Sequence, residues 1–328
     1  MKKERKRGNP VIIVAILVLV LVFLYSGLQV LESAVFRKGT GTVQTDDRKT
    51  IVRDGVEYFP RQGITVVMLA GIDVSGPMQA SGSYNNPGES DMVALLILDE
   101  THERVDILSL NRDTMMDIPM LGIGGKPAGT VYGQLALAHT YGSGLADSSE
   151  NLRNTVSKFL YGAQIDYYVT LNMDAIALLN DAVGGVKVTV KDDFSSIDPT
   201  IPMGEVTLHG QQAVTYIRTR QGLGDQLNLT RMERHREYMA GFMDSLRTSI
   251  RADAGFAVGT YEEVEPYMVT DCSVTVLSSL LDRYSDYSLG EILVVEGENV
   301  KGEKYMEYHV DTEVLDELVM EYFYEPKK

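Results

Sequence analysis

The chain has 328 residues, 44% hydrophobic and 23% charged, enough apolar material to bury a core and too much for wholesale disorder. Its formal net charge is −16, and of its 30 basic and 46 acidic side chains the first seven residues hold five and one, leaving 25 and 45 for the rest. So acidic a body excludes broad nucleic-acid binding, which rests on neutralising phosphates, and any anion must be held by a local positive cluster.

Lys2, Lys3, Arg5, Lys6 and Arg7 form a basic tail over residues 1–9, and no charge follows from Gly8 to Leu31. Residues 10–31 are long enough for one transmembrane helix. The basic tail then stays cytoplasmic, so the remainder is expected outside the cell membrane as a single-pass, anchored domain. The alternative is a cleaved signal peptide. The apolar run is long for a signal core, and no clear A-x-A site follows. A single cysteine, Cys272, rules out an intramolecular disulfide and leaves the compartment to the N-terminus.

Residues 32–60 are polar and turn-rich and read as a stalk. Residues 61–328 are expected as one extracytoplasmic domain, with 250–328 a C-terminal subregion. Strands are predicted at Ile64–Ala70, Met92–Leu98 and Arg104–Leu110, the last two joined by a polar hairpin connection. Helical patterns follow at about 132–141 and 148–160, then a strand at Tyr167–Leu171, a helix at Asp174–Ala182 and a strand at Val186–Val190. A long amphipathic helix is expected over about 231–250, with Leu229, Met232, Met239, Met243, Leu246 and Ile250 in one stripe. A helix near 274–283, a strand near Glu291–Val295 and a helix near 311–323 complete the pattern. The fold class is α/β, or an α+β sandwich: a central mixed sheet flanked by helices, after one transmembrane helix.

Three segments carry chemistry. Thr230-Arg-Met-Glu233 matches a capping box, which puts Arg231, Arg234, His235 and Arg236 in the first turns of a helix. Cations are disfavoured there, so the cluster reads either as an anion site or as arginines paired with the surrounding acids. Just upstream, Arg218 and Arg220 share a face if Tyr216–Arg220 is extended. Asp73, past the first strand, and Asp91, opening the second, read either as turn formers or as magnesium ligands completed by phosphate oxygens. Arg112 and Asp113 end the third strand, as an internal ion pair or as site residues. The five histidines have no HxxxH or HxH spacing, and neither a P-loop nor a Gly-x-Ser-x-Gly elbow occurs.

Taken in order, Leu69-Ala-Gly-Ile-Asp73, Ser90-Asp91-Met, Ser109-Leu-Asn-Arg-Asp-Thr114, Leu137-Ala-His-Thr-Tyr-Gly142, Ile165-Asp-Tyr-Tyr-Val169, Leu179–Val186, His209–Arg220 and Thr230–His235 resemble the LytR–CpsA–Psr family of cell-wall glycopolymer ligases. The resemblance implies a phosphotransferase that moves a glycopolymer from a polyprenyl-pyrophosphate carrier onto peptidoglycan and releases polyprenyl phosphate. It implies Asp73 and Asp91 as ligands of Mg2+ (or Mn2+), and Arg112, Arg218, Arg220 and Arg231 as pyrophosphate-binding and catalytic residues, with Arg234 and His235 as further contacts. Asp91 is the candidate to assist deprotonation of the acceptor. Partners are then the lipid-linked glycan, peptidoglycan and the membrane. The chain departs from the family pattern at Glu89, where a basic residue is frequent, at His235, where glutamine is usual, and in the longer Asp225–Thr230 segment with Asn228. A lipid-pyrophosphate hydrolase and a non-catalytic polyprenyl-lipid sensor are the alternatives.

Overall fold

The computed structural model describes residues 50–122, 125–219, 256–272, 287–303 and 305–327, with positions 234, 237, 238, 240–242, 244–246, 248, 249, 252, 253, 276, 280, 283 and 284. The expected tail and membrane span therefore lie outside the described residues. Among those described, no helix is long and apolar enough to cross a membrane. In chain order the elements are β1 (Ile51–Arg53), β2 (Val56–Pro60), β3 (Ile64–Ile72), β4 (Ser90–Asp99), β5 (Arg104–Leu110), β6 (Met115–Leu121), β7 (Pro127–Gln134), a 3-10 helix (Leu135–Thr140), α1 (Ala146–Phe159), β8 (Tyr167–Asn172), α2 (Met173–Ala182), β9 (Val186–Val190), β10 (Gly204–Leu208), α3 (Gln211–Arg218), α4 (Phe256–Val264), β11 (Met268–Thr270), β12 (Ser288–Val294), β13 (Gly297–Lys301), β14 (Met306–Val310), α5 (Thr312–Phe323) and β15 (Tyr324–Pro326).

These fall into two compact units. Among the described residues the first takes in 50–171, 268–272 and 290–327, and the second those within 172–267 and 273–289. The expected C-terminal subregion at 250–328 is thus divided between them. Its sequence alternates between segments that complete one core and segments that complete the other.

The first unit is built on a central mixed sheet ordered β11-β8-β3-β4-β5-β12. β3 is rich in β-branched residues, and β3–β4–β5 is a continuous antiparallel meander. Alternate residues of these strands (Val66, Met68, Ala70; Val93, Leu95, Ile97; Leu108, Leu110) enter one apolar core. Leu152 and Val156 of α1 and Leu315, Leu318 and Val319 of α5 fill the same core. α5 starts where predicted because Asp311 caps it, accepting the backbone N–H groups of Glu313 (2.9 Å) and Val314 (3.3 Å).

Three expectations change in this unit. Residues 51–60, read as the end of a stalk, form β1 and β2 in a three-stranded sheet with β15, so the folded unit reaches back beyond residue 61. The helix expected at 132–141 is instead the end of β7, which pairs with β6, followed by six residues of 3-10 helix. The β-branched Thr130 and Val131 favour the strand, and Gly129 and Gly133 weaken the helix that was expected. The β13–β14 hairpin was not anticipated.

In the second unit β9 and β10 pair antiparallel, from Val186 opposite Leu208 to Val190 opposite Gly204. The described positions from 234 to 249 are helical. Of the expected apolar stripe only Leu246 lies among the described residues. The buried row is Arg234, Tyr238, Phe242 and Leu246, spaced four apart on one face. Tyr238 Oη donates to Asn180 Oδ1 (3.0 Å), and Asn180 Nδ2 donates to the Leu208 carbonyl (2.9 Å), tying this helix to α2 and β10.

Candidate active site

One end of the β3–β4–β5 meander gathers Asp73, Glu89, Asp91, Arg112 and Asp113. The chain leaves β3 at Ile72 through a register shift between Gly71 and Ile72, the kind of bulge that re-aims the next residue. Asp73 then donates its backbone N–H to the Glu89 carbonyl (2.9 Å), so it lies beside the residues entering β4. β5 ends at Leu110, opposite Val93, which brings Arg112 back past the start of β4.

The guanidinium of Arg112 meets three carboxylates. Nη1 pairs with Asp91 Oδ1, Nη2 donates to Glu89 Oε2 (2.5 Å), and Nε lies 3.6 Å from Asp113 Oδ1. The side chains of Arg112 and Asp91 are 17% and 16% exposed, those of Asp113 and Glu89 26% and 44%. The sequence alternatives of ion pair and site residue are therefore not exclusive here. Arg112 is an ion-pair centre, and one of its partners is Asp91, an aspartate singled out for a metal.

The backbone around this cluster is fixed by groups that sequence reasoning did not single out. Buried Asn86 shares its Nδ2 among the carbonyls of His139 (2.8 Å), Thr140 (3.2 Å) and Gly142 (3.0 Å) and Ser148 Oγ (3.1 Å). Its Oδ1 accepts the Gly88 N–H (2.8 Å). His139 Nδ1 lies 2.9 Å from the Gly88 carbonyl, which can only accept, so that nitrogen carries the proton. Ser90 Oγ donates to the Ala136 carbonyl (3.2 Å), and the Ala136 N–H donates to the Arg112 carbonyl (2.9 Å). The 3-10 helix thus holds both the approach to Asp91 and the backbone of Arg112. A Cβ at Gly88 would lie 2.8 Å from Ile72 Cγ2 and 2.9 Å from Asn86 Oδ1, so this close approach needs glycine. On the other side, the Asp113 carbonyl accepts the Tyr308 N–H (2.9 Å), and Gln134 Nε2 joins Asp113 Oδ1 (3.1 Å) to the Met306 carbonyl (2.8 Å). The Asn85-Asn86-Pro87-Gly88 turn was the one sequence signal for this frame.

Replacing Asn86 by alanine leaves several buried carbonyls and the Gly88 N–H without their partner. Unsatisfied buried groups cost about 1–3 kcal/mol each, so a loss of about 3 kcal/mol is expected. Chemical denaturation measures it, and a loss below about 1 kcal/mol would mean that the loop re-pairs without Asn86.

The other predicted residues lie in different surroundings. Arg218 is the exposed last residue of α3, in the second unit. The stretch carrying it is helical through Arg218, with Ala213, Val214 and Tyr216 buried, in place of the extended reading of that stretch. Arg220, Arg231 and His235 lie outside the described residues. Arg234, expected to contact pyrophosphate, is 7% exposed and serves the C-terminal end of α3. Nη2 donates to the Thr219 carbonyl (2.6 Å) and Nη1 to that of Tyr216 (3.3 Å), while Nε is 3.6 Å from Asp192 Oδ2. Phe194 stacks against the guanidinium, its ring centroid 5.6 Å away. Its two terminal nitrogens are engaged by the fold.

Among the described residues no group of three or more His, Cys, Asp or Glu side chains is arranged to hold a metal ion. Asp73 and Asp91 nevertheless fit magnesium of the kind that keeps one or two carboxylates and takes its remaining ligands from phosphate oxygens and water. Asp91 Oδ1 is buried with no well-formed hydrogen bond, a carboxylate oxygen whose neighbour is a cation.

An α/β unit that presents an arginine and a set of acids at one end of its sheet defines a candidate site for a charged phosphorus substrate. The chain belongs to the LytR_cpsA_psr family, whose family model matches residues 33–322. It is 28% identical over 257 residues to the polyisoprenyl-teichoic acid–peptidoglycan teichoic acid transferase TagU of Enterococcus faecalis, covering 76% of this chain and 74% of that protein. It is also 28% identical over 200 residues to the transferase TagT of Bacillus subtilis, covering 58% and 56%. The match to TagU of Halalkalibacterium halodurans covers 44% of that protein, so the chain spans about half the length of several relatives it matches. The solved structure of protein gbs0355 from Streptococcus agalactiae superimposes with a TM-score of 0.63 at 21% identity, covering 79% of this chain and 86% of that one. TagT bound to LI-WTA gives 0.57 at 22% identity, covering 79% and 89%. At these identities the structures establish the fold.

Proposed function

We propose that this protein is an extracytoplasmic phosphotransferase that moves a glycopolymer from a polyprenyl-pyrophosphate carrier onto peptidoglycan. The observation that carries the proposal is the meeting of Arg112 with Asp91 at the sheet end where Asp73 is tied to the same strand entry. Membership of the family and the names of the relatives support the substrate class. An anchor at residues 10–31, with residues 2–7 cytoplasmic, would hold the site where a lipid carrier presents its pyrophosphate.

In this reading Arg112 takes phosphate oxygen in place of a displaced carboxylate. A hydroxyl of the acceptor attacks the glycan-side phosphorus, and polyprenyl phosphate leaves. Such transfer depends on positioning and on stabilising charge more than on a covalent nucleophile. Asp73 and Asp91 would hold Mg2+, which when bound supplies further charge neutralisation of the phosphate oxygens. Asp91, at the entry to β4, is the proposed acceptor of the hydroxyl proton. Arg218, Arg220 and Arg231 are proposed as further substrate contacts by the family resemblance.

The test supplies a lipid-pyrophosphate-linked glycan to the full chain with and without peptidoglycan. Transfer requires the acceptor and leaves the glycan covalently on the wall. Release of free glycan at an equal rate without peptidoglycan would make the protein a hydrolase; turnover in neither case would leave it a binding protein.

A further inference from the structure

The guanidinium of Arg112 is over-neutralised. Three carboxylates face one cation, and both of the terminal nitrogens that would form a fork are covered, Nη1 by Asp91 and Nη2 by Glu89. A diphosphate can reach the fork only when a carboxylate leaves it. The three are not equally free to do so. Asp91 is rooted in β4 and only 16% exposed, and Asp113 is held through its Oδ1 by Gln134. Glu89 is pinned only through its backbone, whose N–H donates to the Pro87 carbonyl (3.1 Å) and whose carbonyl accepts from Asp73. Its side chain is the longest of the three and 44% exposed, so it can swing into water with little desolvation to overcome.

We propose that Glu89 is the displaceable counter-ion of Arg112, closing the anion site in the substrate-free protein and making capture of a diphosphate depend on a divalent cation. The inference rests on the phosphotransferase reading above. Displaced or not, the Glu89 carboxylate stays on the same short strand entry, within a few ångströms of the incoming phosphate, and repels it. With Asp73, Asp91 and Asp113 it sets four carboxylates against Arg112 at this end of the sheet, a local excess of negative charge that opposes a free diphosphate. A divalent cation held by Asp73 and Asp91 would cancel two of those negative charges and remove most of the repulsion. Glu89 thereby selects the metal complex of a diphosphate over the free anion.

The test measures binding of inorganic pyrophosphate to the full chain in detergent, by calorimetry, in chelator and then in magnesium. Glu89→Gln keeps the shape and removes the charge. Glu103→Gln, in the turn between β4 and β5, removes one charge from the same hairpin at its far end. Glu89→Gln should bind pyrophosphate in chelator about tenfold more tightly than the wild type, and should gain correspondingly less from magnesium. Glu103→Gln should match the wild type in both conditions. Equal affinity of Glu89→Gln and the wild type in chelator would overturn the proposal, as would an equal gain in Glu103→Gln. Where the wild type binds with magnesium, such a failure touches Glu89 alone. Failure of every variant to bind even with magnesium would overturn the phosphotransferase reading along with it.

Discussion

Arg112→Ala should lower transfer of glycan from lipid pyrophosphate to peptidoglycan by about a thousandfold, the scale on which a pre-organised charge acts on a transition state. Two losses combine. The guanidinium donor to phosphate oxygen disappears, and Glu89, Asp91 and Asp113 are left facing one another with no cation between them. Arg112→Lys separates the two effects, because it restores a charge and cannot form the fork. It should recover part of the activity, leaving a deficit of roughly 10- to 100-fold. The assay is single-turnover transfer with radiolabelled lipid-linked glycan, with thermal unfolding followed in parallel. A lysine variant as inactive as alanine would assign the whole effect to geometry. An alanine variant that is folded and fully active would remove Arg112 from the site.

The pieces of this site were unequally visible before the fold was known. β3, β4 and β5 announce themselves because each is an apolar, β-branched run, and the polar Asp99–Glu103 stretch between the last two can only be a turn. Asp73, Asp91 and Arg112 could be picked out because each follows or opens such a run. Whether their charges oppose or assist one another could not, since that depends on the bulge at Gly71–Ile72 and on where the Gly88 turn delivers Glu89. β7 and β13 escaped because their residues are largely exposed and show no two-residue apolar alternation. The β13–β14 hairpin nevertheless braces Asp113. Arg234 shows the opposite case: a cation near an expected helix start suggests an anion site, and in the structure the side chain turns inward to the end of α3. His139 lay within the Leu137–Gly142 stretch that carries the family resemblance, but nothing there gave it a role of its own. A lone histidine in an apolar stretch has no spacing to read, and its role comes from Gly88, fifty-one residues away.

That histidine should give the protein an acid-sensitive stability. Burial lowers the pKa of His139 from 6.5 to about 4, with the Gly88 carbonyl and the charge of Asp147 acting weakly in the other direction. Nδ1 is committed to Gly88, and Nε2 is buried without a partner, so protonation would place a charge where nothing receives it. The folded form thus binds the proton less readily than the unfolded chain. Its contribution is present in full above pH 6.5 and is lost as the pH falls toward 4, the unfolded chain taking up the proton first. Between pH 7 and 4.5 the loss amounts to about 2.5 kcal/mol. Carboxylates titrate in the lower part of that window, so the measurement is a difference. His139→Gln keeps an amide donor for Gly88 and has no proton to bind. Denaturant unfolding across the range should show the wild type losing about 2–3 kcal/mol more than this variant. Parallel curves for the two proteins would mean that the ring reaches water in the folded state, and that Gly88 and the entry to Asp91 are held by Asn86 alone.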